Sequence, residues 1–257
     1  MGFAADIATV RALIRRAANE LLRVPGAAIP GVLAPTIFFC GLSSVFGHLT
    51  LLPGFDTDSY QSFIVPISLL QGAGFTGAAT GVNLARDIEQ GWFDRLLASP
   101  APRPALLSGM VLSASLRALI PAAVLLTVGF AIGVHWPGIL GLALALFCAM
   151  ATGAIAACWG VMLALHYRSQ SAAPLMQSGM FVLVLTTTAY APLALLQGWL
   201  ADIARINPLT PVVTAARQGF VGDPITWADT WPALLCLAGL LAVLGAWALR
   251  EMRRITY

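Results

Sequence analysis

The chain contains no lysine: all 14 of its basic residues are arginine. That absence excludes a Walker phosphate loop, because the G-x-x-x-x-G-K pattern needs a lysine on the phosphates. ATP hydrolysis by that device is therefore not expected of this chain, and the arginine-only usage reads as coding bias. Charge of either sign is scarce. Only 10% of the 257 residues are charged, against about 25% in an ordinary soluble domain. The net charge of +3 is too small to point to nucleic acid. Cys40, Cys148, Cys158 and Cys236 each sit in an apolar run, with no CxxC pair and no histidine at metal-ligand spacing. They read as small hydrophobes, and no metal site is expected. His48, His135 and His166 fall near the ends of apolar runs, and Ser43 and Ser44 lack a G-x-S-G context. An intramembrane serine protease is therefore not expected, nor any other catalytic residue. The first 26 residues lack the apolar core and small-residue cleavage site of a secretory signal, so none is expected.

What the chain has is apolar sequence, 59% of its residues. A membrane helix needs about 20 mostly apolar residues. Six runs qualify: 28–52, 59–82, 107–134, 138–165, 172–193 and 231–249. In lipid the backbone must satisfy its own hydrogen bonds, so these runs are expected to be helices of a single transmembrane domain covering 1–257. Placing both termini in the cytoplasm puts eleven arginines inside and only Arg205 and Arg217 outside, a positive-inside asymmetry. Arg117 is left within the third run. Either that helix starts further in and the side chain snorkels to the surface, or it meets a substrate.

Residues 6–23 read as an amphipathic helix. Ile7, Val10, Leu13, Ile14, Ala17 and Leu21 share one face, and Arg15, Arg16, Asn19 and Arg23 the other. Such a helix suits the cytoplasmic membrane interface or a protein partner, with Val24-Pro25-Gly26 turning the chain into the first span. Small residues recur every fourth position at Ala73, Gly77 and Gly81, and again at Gly129 and Gly133, a spacing that lets helices approach closely.

Residues 86–104, RDIEQGWFDRLLASPAPRP, carry six charged residues between two apolar runs. Ile88, Trp92, Phe93, Leu96 and Leu97 are spaced for one face of a short helix. Asp87, Glu89, Asp94 and Arg95 occupy the remainder, and Ser99-Pro100 ends it. A helix of this kind can lie on a membrane or dock on a protein. Two acids and one base near its start disfavour anionic lipid and favour a cytoplasmic protein partner. Near the other end of the chain, residues 197–230 are too long for a hairpin and too apolar for a solvated linker. Leu200, Ile203, Ala204 and Ile206 are expected on one side of a short helix that Asn207-Pro208 ends, and Thr210-Pro211 is expected to open a second.

Two motifs in these places carry a family resemblance. The first is D-x-E-x-G-x-x-D-R-L-x-x-x-P, read here as Asp87, Glu89, Gly91, Asp94, Arg95, Leu96 and Pro100. The second is NPLTPVVTAARQGFVG at 207–222, with Asn207, Pro208, Thr210, Pro211, Arg217 and Gly222. Together they resemble the membrane subunits of type-2 ABC exporters, and among them the daunorubicin-resistance permeases. The resemblance implies an all-α membrane protein: an interfacial N-terminal helix, six spans, a cytoplasmic coupling helix within 83–106, and re-entrant external helices within 194–230. It implies that the coupling helix docks on a separate ATPase subunit that holds ATP and Mg. Trp92, Leu96 and Leu97 would be the apolar anchors, and Asp87, Glu89, Asp94 and Arg95 the register-setting charges. It further implies that Asn207, Pro208, Thr210, Pro211 and Arg217 belong to an external gate. The expected assembly has two ATPase copies and a second copy of the permease or a sister permease, in the plasma membrane of a bacterium, in contact with lipids.

Polar groups within the runs are few, and Gln71, Gln177, Thr186, Thr187, Thr188 and Tyr190 are the candidates for a substrate path. Serine and threonine also bond back to their own helix, which leaves a purely structural role open. No run contains a carboxylate, which disfavours a proton-coupled carrier and suits transport driven by an external ATPase. Hydrophobic drugs, lipids or lipid-like products are the expected cargo. A polysaccharide or glycolipid exporter, or a secondary transporter, stays open as an alternative.

Overall fold

A computed structural model of the chain describes residues 3–23, 29–51, 55, 57–98 and 101–255. Among these residues there is no strand and there are eleven α-helices. They are α1 (Phe3–Arg23), α2 (Ile29–Phe46), α3 (Tyr60–Glu89), α4 (Trp92–Leu97), α5 (Arg103–Arg117), α6 (Leu119–Ala131), α7 (Gly138–Tyr167), α8 (Ala173–Leu185), α9 (Trp199–Ile206), α10 (Thr210–Arg217) and α11 (Trp227–Arg254).

Among the described residues, five stretches are long and apolar enough to cross a membrane: Gly31–Leu51, Tyr60–Glu89, Arg103–Ala131, Gly138–Tyr167 and Trp227–Arg254. The third is α5 and α6 together. Pro121 supplies no N–H for the carbonyl of Arg117, and the helix breaks at Ala118. Where run 172–193 predicts another span, α8 is helical over only 13 residues. The Thr186 and Thr187 hydroxyls donate to the carbonyls of Val182 and Val184 at 2.9 and 2.7 Å, competing with the helical ladder. Pro192 follows.

α3 is the central helix, with 83% of its apolar window buried. Its partner is α7, and the crossing is made by residues without side chains. A Cβ added at Gly77 would lie 2.2 Å from the carbonyl oxygen of Gly153, and one at Gly81 2.3 Å from Gly160. Backbones that close gain dispersion along both helices, the main attraction available in lipid. Gly133 does not share this use; it sits in the turn after α6 with φ 98°. α2 and α11 lie outside, showing Ile37, Phe38, Leu235 and Val243 to the surroundings, as expected of faces solvated by lipid tails. Cys148 and Cys158 are buried and free of disulfides.

Two apolar clusters hold the bundle. One runs from its middle to one end and includes Phe39, Tyr60, Phe63, Leu125, Ile155 and Phe220. The other, with Leu84, Phe93, Leu106, Val161 and Met252, lies at the opposite end, where most arginines gather. That end is called the arginine-rich end below, and the other the far end. α1 lies across α5 there, with Leu13 over Gly109; a Cβ at Gly109 would come within 2.5 Å of the leucine methyl. The apolar face predicted for α1 is thus used within the chain, with Leu13, Ile14 and Ala17 half-buried and Arg11 and Arg15 exposed. The predicted turn at Val24-Pro25-Gly26 lies outside the described residues.

Candidate functional site

The charged segment after the second span is not one helix. α3 continues through Asp87 to Glu89, and the chain breaks at Gln90-Gly91. Gly91 adopts φ 70°, a left-handed conformation that costs a glycine little. α4 then starts afresh. Asp87 and Glu89 therefore belong to the last turn of α3, contrary to the expectation that they ride on the short helix with Asp94 and Arg95.

Their partners are within the chain. Arg16 of α1 grips Asp87 with a two-pronged ion pair, 3.0 and 2.9 Å. The same guanidinium lies 3.5 Å from the centre of the Trp92 ring, a cation–π contact. Glu89 is held by the turn between α7 and α8. Its Oε1 accepts from the Ser169 hydroxyl at 2.9 Å and the Gln170 N–H at 2.8 Å, and its Oε2 from the Gln170 side-chain amide. On α4, Phe93 is fully buried in the local core, and Leu96 and Leu97 are partly buried against it. Asp94, Arg95 and Ala98 are exposed. The apolar anchors expected to reach a partner are thus spent largely on the bundle, Trp92 is half-buried under Arg16, and a charged face remains outside. Pro100 lies outside the described residues.

Arg117 lies at the junction of α5 and α6 and donates to the Thr80 hydroxyl at 2.8 Å. It faces a cavity of about 50 Å3 shared with Arg16, Asn83, Asp87 and Ser113, large enough for water. It points inward rather than into lipid. Arg103 caps α11, donating to the carbonyls of Met252 and Ile255 at 2.6 and 2.7 Å. A cation suits the negative end of a helix.

At the far end the second motif wraps around the broken end of α8. Asn207 donates to the Leu183 carbonyl at 2.8 Å and to the Thr186 hydroxyl at 3.0 Å, while its own side-chain oxygen accepts from the Leu209 N–H at 2.8 Å. Thr210 caps back to the Ala204 carbonyl at 2.6 Å. Pro208 sits in the turn between α9 and α10, and Pro211 in the first turn of α10. Arg217 is only 9% exposed. Its guanidinium donates to the carbonyls of Phe63 at 3.0 Å, Thr188 at 2.8 Å and Ala189 at 3.3 Å, and lies 3.6 Å above the Phe63 ring. The Tyr60 hydroxyl takes the next carbonyl, Tyr190, at 3.2 Å. Three successive carbonyls of the non-helical segment after α8 are thus each paired with a side chain from another element. Desolvation lowers the Arg217 pKa from the ordinary arginine value, and the group stays charged at neutral pH. The expected apolar side of α9 differs: Ala201 and Ala204 are buried, whereas Ile203 and Ile206 face outward with Trp199.

Of the path candidates, Thr186 and Thr187 bond back to α8. Gln71 is buried and its side chain reaches Tyr190, and the Thr188 hydroxyl is buried with no hydrogen-bond partner among the described residues. Gln71 borders a narrow groove between α3 and α8 with Gly74, Phe75, Met180, Phe181 and Val184. Gln177 is half-buried on α8. Sequence reasoning missed Arg16, Ser169 and Gln170 as partners of the first motif, and Tyr60 and Phe63 as partners of the second.

The ABC-2 type transporter family model matches residues 8–221, spanning both sites. The chain belongs to this family. It is 27% identical over 243 residues to a daunorubicin resistance ABC transporter permease of Streptomyces coeruleorubidus, covering 93% of this chain and 83% of that protein. A probable doxorubicin resistance ABC transporter permease of Mycobacterium tuberculosis is 26% identical over 227 residues, 83% of this chain and 75% of its own length. A probable multidrug ABC transporter permease of Escherichia coli is 27% identical over 189 residues, 70% of this chain and 50% of its own length. With five membrane-length apolar stretches among the described residues, this member of the family is a multi-pass membrane permease of an ABC transporter.

Proposed function

We propose that this permease exports hydrophobic or amphiphilic molecules, driven by a separate ATPase subunit that docks on α4. The chain itself hydrolyses no ATP; ATP and Mg belong to the partner, and two permeases work with two ATPases. The arginine-rich end, with both termini, faces the cytoplasm. The observation that carries the reading is the short helix itself. Gly91 sets it off from α3, Phe93 fixes it to the bundle, and Asp94 and Arg95 face outward. Charges on such a rim select a partner and its register more than they add affinity. The mostly apolar groove that Gln71 borders between α3 and α8 supports a cargo that is mostly apolar.

Co-expression with the cognate ATPase, followed by affinity purification, tests the docking. Arg95→Asp is expected to cut the co-purified ATPase about tenfold, the effect of one lost charge pair turned repulsive. An intact complex with unaltered hydrolysis in Arg95→Asp would remove α4 as the docking helix. For the cargo, uptake of a fluorescent apolar amine into inverted vesicles is expected to require ATP and to weaken in Gln71→Ala.

A further inference from the structure

α8 is an apolar helix held by polar side chains of other elements at both ends. Its 13 residues span about 20 Å at 1.5 Å each. Its buried residues are Met176, Met180 and Val184, one apolar stripe at four-residue spacing, and it packs chiefly along α3. Leu175 and Val182 face outward. An apolar stripe with a flexible methionine at two of its three positions can slide without breaking hydrogen bonds.

The near end of α8 is tied to Glu89. Three donors from one turn converge on that carboxylate: the Ser169 hydroxyl, the Gln170 N–H and the Gln170 side chain. Arg168 makes this possible. It is the only non-glycine residue with a left-handed backbone among the described residues, at φ 51°, and it reverses the chain so that Ser169 and Gln170 face Glu89. The far end of α8 is tied to the second motif, through Asn207 on Leu183 and Thr186 and through Arg217 on Thr188. Only Gln90 and Gly91 separate Glu89 from α4.

We propose that Glu89 is a positioning residue that makes α8 a tie rod. Through Ser169 and Gln170 it carries a displacement of α4 along α8 to the 186–190 segment at the far end. This extends the reading of α4 as the docking helix, and rests on it.

The test uses the full-length permease with its ATPase in nanodiscs, with and without ATP and vanadate. The readout is amide exchange of residues 183–196. In the wild type, ATP and vanadate change that exchange by about fivefold or more, the lower end of ordinary coupling between sites. In Glu89→Ala the complex still forms and basal hydrolysis stays within about twofold, but the far-end response is lost. Joining Glu89→Gln with Gln170→Glu reverses the side-chain pair and restores the response. A cap with a merely local role gives another pattern: faster exchange at 168–176 with the far-end response intact, which overturns the proposal. Ser169→Ala with Gln170→Ala removes the same bonds from the other side and must reproduce Glu89→Ala. The permease alone supplies a check without the ATPase. Exchange of the Gln170 amide rises about fivefold in Glu89→Ala if the latch holds it, and an unchanged rate overturns the latch. Loss of co-purification in the wild type strikes the docking reading instead, and leaves the Gln170 measurement to judge the latch.

Discussion

The two ends of the bundle use arginine in opposite ways. At the arginine-rich end, Arg16 pairs directly with a carboxylate at a partly exposed site: the Arg16 and Asp87 side chains are 39% and 18% exposed. At the far end, Arg217 meets no carboxylate among the described residues and is buried on three backbone carbonyls and an aromatic ring. A half-exposed ion pair is cheap to break and responds to ionic strength. A buried charge bonded to backbone cannot leave without stranding both itself and its acceptors. The near end is held by a pair that salt can screen, and the far end by a buried network that keeps a broken helix in one shape.

The largest effect expected from breaking this contrast is at the far end. Arg217→Ala leaves the carbonyls of Phe63, Thr188 and Ala189 without that donor, and is expected to cost about 3 kcal/mol or more. Thermal unfolding in detergent measures it. Arg217→Lys is expected to recover less than half of the loss, because a point-like ammonium cannot match a planar fork across two elements. Next comes Asn207→Ala, at about 1–3 kcal/mol. It is expected to speed amide exchange at Thr186, where its bonds to Leu183 and Thr186 end α8. At the near end, Arg16→Ala and Asp87→Ala are each expected to cost only about 0.2–1 kcal/mol. The double mutant is expected to add little, which a thermodynamic cycle would show. Smallest is the effect of salt: about 1 M salt, with a screening length near 3 Å, is expected to erase the Arg16–Asp87 coupling. The Arg217 variants should keep their full cost at that salt. Equal salt sensitivity at the two ends would end the distinction between them.

The membrane architecture was legible because its causes are local. Apolar runs of membrane length, the four-residue spacing of Gly77 and Gly81, and the Pro-ended charged segment all lie within a few turns of chain. The length of α8 was less so. Its run is apolar through Leu193, and only the hydroxyl-to-carbonyl bonds of Thr186 and Thr187 show why the helix stops short. The fates of Asp87 and Glu89 were not legible at all. Both suit an exposed helix ready for a partner, and their observed partners lie 71, 80 and 81 residues away. Ser169 and Gln170 carry no motif that would have singled them out.

The sequence by itself determined that this chain lives in a membrane, which end is rich in arginine, and where two polar motifs interrupt its apolar helices. Hydropathy and helical period are written residue by residue, so they need no fold to be read. Only the tertiary structure decided what each charge is for. Gly77 and Gly81 let α3 and α7 close to backbone contact. That arrangement sets Arg217 within bonding distance of a carbonyl 154 residues earlier in the chain. It also sets Glu89 beside the start of α8. An unpaired polar group in an apolar interior is costly, and the pairs that form are those that helix packing brings within reach.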